Sequence, residues 1–368
     1  MLGILLGPIT RIIDTEFFQE SSPIISTLSI ILITFEAGIN INYETLKNII
    51  SKTLTLTLLT FTAITLGTGL IAPIIIPTLS IIEALVLGTI LAGLSTIVVM
   101  GIKDQVKIES DDIWQVLALE STVVDPFRVI LAIAFIQVAI LGTSQPFSSF
   151  EDIIYILIMG TFIGLVTGVL WSFIIHRLTR IPNLYMVTLA ILFQVYFLAE
   201  LVSGNGGGTV ACFIFGLVLA NPKQLKKLFA YIPRIDKGRI TGVNKEMSFV
   251  LKSYYFVYTG LIISVNREYM LLGVIFTLMI ISIRFFTGTL VANFFKLNEL
   301  DKDIIRLTYP LGTSALVFSQ LPSLYDPSHQ TFRNPLLFTN LVFQVVLGTI
   351  IFSSLIAPII IKKRNHEN

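Results

Sequence analysis

Apolar stretches of about twenty residues recur along nearly the whole chain, each long enough to cross the hydrocarbon core of a bilayer as one helix. Lipid offers no water to backbone N–H and C=O groups, so only helices and closed barrels span it. Barrel strands would be half as long and would alternate apolar with polar residues; these runs do not. Of the 368 residues 54% are hydrophobic and 13% charged, against roughly 25% charged in an average soluble domain. The sequence therefore reads as an all-α polytopic membrane protein.

Eleven spans fit the pattern, near 22–40, 53–78, 80–102, 113–140, 153–175, 182–201, 207–220, 249–265, 269–295, 305–321 and 335–361. The opening MLGILLGP reads as the last turns of a further helix ending at Gly7-Pro8, so the chain is expected to start inside a longer product. It is too short for a signal peptide. Alternate loops differ sharply in basic residues: one side holds Arg11, Arg267 and Arg333, while the other holds 18 Lys and Arg, including Lys103, Lys245 and Lys362. The richer side is expected to be cytoplasmic, which puts the C-terminus inside.

Four segments follow: a first membrane bundle over 1–221 that includes the 113–140 helix, a basic linker or amphipathic segment over 222–248, a second bundle over 249–361, and a cytoplasmic tail over 362–368. Arg128, Lys252, Arg284 and Arg306 fall in or at the edges of spans. For Lys252 and Arg306, near cytoplasmic ends, snorkelling is the expected behaviour.

Little points to other chemistry. The single cysteine, Cys212, excludes a disulfide framework, and the three histidines fall in expected loops or the tail, without zinc or haem spacing. The Gly-rich run SGNGGGTV, Ser203 to Val210, lacks the GK[ST] ending of a phosphate loop and reads as a turn into the next helix. No enzyme, cofactor or nucleic-acid partner is expected.

Glu120 and Asp125 lie in the otherwise apolar run Trp114 to Leu141. A carboxylate at the bilayer centre costs about 2.5–3.5 kcal/mol even on lenient insertion scales, so it signals function. At about 1.5 Å per residue, Glu120 lies roughly 10 Å from the cytoplasmic end of its helix, Asp125 roughly 18 Å and Arg284 roughly 16 Å from the end of its own. Glu120 and Arg284 can thus meet as a structural ion pair. Five residues turn Asp125 about 140° away from Glu120, so Asp125 is expected to be the carboxylate free to titrate. Burial favours its neutral form and a bound cation its charged form. A proton and a cation would compete there, which with alternating access suffices for exchange.

Arg128 stands three residues on, within pairing distance of Asp125. Either the two form a bridge that repels a cation, or Arg128 turns toward another acid such as Glu200. Glu36, in LITFEAGIN, reads as a second ligand or gate, or as a helix-end carboxylate near inner-face lysines. Ser121 either donates an oxygen to the ion or bonds its own helix backbone.

Gly93-Leu94-Ser95-Thr96-Ile97-Val98 and Gly312-Thr313-Ser314-Ala315-Leu316-Val317 share the pattern G-x-S-x-x-V in spans that run oppositely. Such a pair marks either the discontinuous helices of an inverted-repeat transporter or close packing through small residues.

ALESTVVDP, from Ala118 to Pro126, resembles the E-S-x-x-N-D signature of the monovalent cation/proton antiporter superfamily. The likeness extends to ILLGP, LITFEAGIN, the stretch around Ser95, GGGTVACFIFGLVLAN, SYYFVYTGLIIS, the Arg284 helix and LGTSALVFSQLP, which together cover the chain. It implies an inverted-repeat antiporter fold with two discontinuous crossing helices, a core domain and a dimer domain. It implies a homodimer in the lipid bilayer that exchanges Na⁺, or K⁺ or Li⁺, for H⁺ without ATP or cofactor, as in pH homeostasis. Asp125 matches the carrier aspartate, Glu120 and Arg284 the buried ion pair, and Ser95, Thr96 and Ser121 positions near the ion. Two departures stand out. Val124 replaces the Asn or Asp before the carrier, which with Arg284 in place of a titrating Lys implies one-for-one exchange, and the family's acid near Ser95 is absent, which bears on ion affinity and preference. The competing readings are a potassium-efflux pathway of the Kef-like branch and a non-transporting scaffold, the latter if Asp125 and Arg128 lock together.

Overall fold

The computed structural model describes residues 16–41, 49–106, 111–141, 146–177, 184–223, 237–263 and 266–367. The opening MLGILLGP, Arg11 and residues 224–236 of the basic linker lie outside them. Along the chain run α1 (Glu16–Asn40), α2 (Ile50–Ile75), α3 (Ile81–Leu91), α4 (Thr96–Val106), α5 (Asp111–Leu141), α6 (Pro146–Arg177), α7 (Leu184–Ser203) and α8 (Gly207–Ala220). Then come α9 (Lys237–Ile262), α10 (Arg267–Phe294), α11 (Glu299–Leu307), α12 (Thr313–Phe318), α13 (Leu321–Tyr325), α14 (Pro335–Ile351), a π turn (Phe352–Ile356) and α15 (Ala357–Glu367).

Three helix starts, those of α3, α10 and α11, carry side-chain caps. Ser80 and Glu83 form a reciprocal capping box on α3, with N–H···O distances of 2.8 and 3.2 Å, and Asn298 caps α11 through the Asp301 N–H at 2.7 Å. Seven described helices are long and apolar enough to cross a membrane, or eight if α3 and α4, bent by 45° at their junction, count as one span. Two of the eleven expected spans are discontinuous, as the inverted-repeat fold implies. The runs at 80–102 and 305–321 are each broken in the middle, the run at 207–220 is a 14-residue helix, and α9 starts at Lys237, inside the segment assigned to the linker.

The helices bury two apolar cores. One takes residues from α1 to α5 and from α9 to α15; the other is built from α1, which serves both, and from α6, α7 and α8. These bundles do not follow the sequence halves that the linker suggested, because the two broken helices, one from each half, interlock within the first core. The second core is tightened by glycine. A Cβ on Gly38 would meet the Phe213 carbonyl and the Leu217 amide, and one on Gly216 the Phe35 carbonyl and the Ile39 amide, so α1 and α8 touch backbone to backbone. Gly38→Val is expected to force them apart at a cost of about 1–3 kcal/mol or more. A thermal melt in detergent should read this loss, and an unchanged melting temperature would refute the close approach.

The Gly-rich run is a tight turn in which Gly204 and Gly206 take positive φ of 84° and 105°, backbone that L-residues avoid. Both carboxylate oxygens of Glu200 accept from the Gly206 N–H, at 3.0 and 3.1 Å, and one also from Gly208 N–H at 3.1 Å. Glu200 therefore caps α8, where an acid also suits the helix dipole, and is not a partner of Arg128.

Candidate functional site

The two broken helices meet at their breaks. The Ser95 N–H donates to the Pro310 carbonyl at 2.8 Å, and Gly312 lies against the Ser95 side chain with no room for a Cβ. Each break leaves backbone groups without helical partners, and neighbouring helices supply them. At the second break, Ser353 Oγ accepts from Tyr309 N–H at 3.2 Å and Thr349 Oγ1 from Leu311 N–H at 3.1 Å. At the first, the partners come from α5: Ser121 Oγ donates to the Leu94 carbonyl at 2.9 Å, and Arg128 donates to the Ile90 carbonyl. With its proton committed to Leu94, Ser121 accepts from Thr96 Oγ1 at 2.6 Å.

Glu120 and Arg284 are brought together as a bidentate pair, at 2.6 and 2.9 Å. Both are buried. Arg284 Nε also donates to the Ile305 carbonyl at 2.8 Å, near the end of α11, and its guanidinium lies 4.9 Å from the Tyr309 ring centre. The pair bolts α5 and α10 to the second break.

Asp125 is not free. Arg128 Nη1 lies 2.7 Å from its Oδ1 and 3.1 Å from Ser314 Oγ, and Ser314 donates to the same Oδ1 at 3.2 Å. The expectation of an unpaired Asp125 fails because position i+3 stacks Arg128 on its face, where the carbonyl end of α3 also draws a cation. Both contacts fall on Oδ1, so Oδ2 has no hydrogen bond among the described residues. Pro126, inside α5, lacks the N–H that would occupy the Thr122 carbonyl, freeing one more oxygen at this level. Val124 is buried in the apolar core.

Asp125, Ser95, Thr96, Ser121, Thr313 and Ser314 line a chamber of about 110 Å³. It shares Glu36, Asn40, Thr96 and Lys252 with a funnel of about 1240 Å³, whose wall also carries Asp104, Lys245 and Glu246. At the junction Lys252 Nζ pairs with Glu36 at 3.2 Å, so Lys252 is a site residue and not the snorkelling lysine expected from its position. Arg306 likewise pairs, with Asp303 at 3.5 Å. Hydropathy could not reveal these partners or the acceptors Ile90 and Leu94. For the first, the sequence offered only the reading of Glu36 as a carboxylate near inner-face lysines.

Two broken helices crossed at mid-bundle beside buried carboxylates define an inverted-repeat secondary transporter. The chain belongs to the transmembrane sodium/hydrogen exchanger family, which matches residues 1–363. Among solved structures, the sodium proton antiporter MjNhaP1 from Methanocaldococcus jannaschii at pH 8 superposes with a TM-score of 0.77 at 20% identity, covering 98% of this chain and 90% of that one. An electron-microscopy structure of the same antiporter gives 0.61 at 18% identity, covering 100% and 88%. At these identities the likeness is one of fold. No curated protein sequence matches. The chain is thus a multi-pass membrane protein of a family that exchanges cations for protons.

Proposed function

We propose that the chain exchanges a monovalent cation, Na⁺ first and K⁺ or Li⁺ as alternatives, for H⁺, one for one, by competition at Asp125. The observation that carries this reading is the chamber itself. A carboxylate with one oxygen unengaged faces the same small space as the Ser121 and Thr96 hydroxyls, at a crossing of helix breaks where backbone oxygens are available. Hard cations take such oxygens, and a proton takes the carboxylate in their place. Ser95, Gly93, Gly312, Thr313 and Ser314 shape the crossing. Glu36, held by Lys252 at the chamber mouth, acts as a gate.

Lys245 in the funnel wall belongs to the lysine-rich side, which supports an opening toward the cytoplasm with the C-terminus inside. The α6 span, only 22% buried, exposes Ile154, Ile158, Phe162 and Leu165 along one face, which suits a homodimer contact. The Asp125–Arg128 bridge favours a second reading, a locked scaffold that transports nothing.

Proteoliposomes with an imposed pH gradient separate the two. Adding Na⁺, K⁺ or Li⁺ outside and following an internal pH dye should show cation-dependent proton movement and name the ion. Silence with every cation, in folded protein, would leave the scaffold.

A further inference from the structure

The two buried arginines have matching surroundings. Arg284 caps the Ile305 carbonyl near the end of α11, pairs with Glu120 and lies against Tyr309. Arg128 caps the Ile90 carbonyl near the end of α3, pairs with Asp125 and lies 5.0 Å from the Phe318 ring centre. It is 0% exposed. A Cβ on Gly93 would collide with its Nη1, Cδ and Cζ atoms, so the break is shaped around the guanidinium. Held by a carbonyl, a hydroxyl, a carboxylate and a ring, Arg128 stays in place whatever occupies the other oxygen of Asp125. The second charged pair at the chamber, Glu36 with Lys252, is also neutral. The four charged side chains at the empty chamber therefore sum to zero.

We infer that Arg128 is a resident counter-cation that lets the empty chamber change sides, so that a cation can also move alone, driven by membrane potential. The inference rests on Asp125 being the exchange carboxylate. A site with a lone aspartate is negative when empty and neutral when it holds a cation or a proton. Uncompensated charge in a low-dielectric barrier is penalised, so the empty form returns far more slowly than the loaded forms, and exchange dominates. With Arg128 in place, the empty form is neutral and the loaded forms carry one positive charge. Empty return is open, and the penalty moves to the loaded crossing, where an inside-negative potential offsets it.

The test uses proteoliposomes at equal pH on both sides, radiolabelled Na⁺ outside, a potential set by a K⁺ gradient with valinomycin, and an internal pH dye. An inside-negative potential of about 100 mV should speed Na⁺ uptake, up to about 50-fold if one full charge crosses the whole field, with fewer protons leaving than Na⁺ ions entering. Arg128→Gln should make uptake indifferent to potential and restore one proton out per Na⁺ in, while Arg128→Lys keeps the wild-type behaviour. The wild-type measurement decides even if Arg128→Gln does not fold. Potential-independent uptake with one-for-one proton movement would overturn the resident counter-cation and leave exchange standing. Absence of Na⁺ uptake under any potential or pH gradient would overturn the Asp125 reading along with it.

Discussion

Replacing Glu120 by leucine is expected to lower stability by about 3–5 kcal/mol, because it leaves the Arg284 guanidinium buried without its counter-charge. Arg284 has nowhere else to place that charge. Its other contacts are the neutral Ile305 carbonyl at 2.8 Å, Thr60 Oγ1 at 3.3 Å and the Tyr309 ring, and it is 0% exposed. Arg284→Met should cost a similar amount by stranding Glu120. The double variant Glu120→Leu with Arg284→Met should recover most of the loss, since two apolar groups of similar volume can replace a buried pair at little cost. Thermal melts of the three variants in detergent give the coupling directly. Additive losses, with the double variant the worst, would show that the pair is not what joins α5 and α10.

Asp125→Ala should reduce cation-driven proton movement to the protein-free background. Among the described residues, the substitution removes the only carboxylate lining the chamber apart from Glu36, which is paired. It also strands Arg128, which predicts a second effect of about 3–5 kcal/mol on stability. Loss of transport in this variant alone could therefore reflect a damaged fold. The double variant Asp125→Asn with Arg128→Gln separates the two. It removes both charges and keeps nearly the same volume, so the melting temperature should return toward wild type while transport stays absent. Transport by that double variant would exclude Asp125 as the exchange group.

Much of the architecture was legible before any coordinates. Apolar runs long enough to span lipid can only be helical there, and the paired G-x-S-x-x-V segments mark the two places where the helices break. Simple depth reckoning at about 1.5 Å per residue brought Glu120 and Arg284 close enough in depth to meet, and the structure joins them across 164 positions of sequence. The same reckoning left Arg128 undecided, because a spacing of three residues permits a pair without requiring one.

The tertiary structure decided what local spacing cannot carry. Arg128 turns to Asp125 because the carbonyl end of α3 and the Ser314 hydroxyl hold it there; Lys252 reaches Glu36 because α9 lies beside α1; and Glu200 serves the amides of its own turn. A sequence determines the lengths, faces and depths of its helices through lipid burial and the helical repeat. Which helix end meets which side chain depends on how those helices cross, and in this chain that crossing sets the charge of the site.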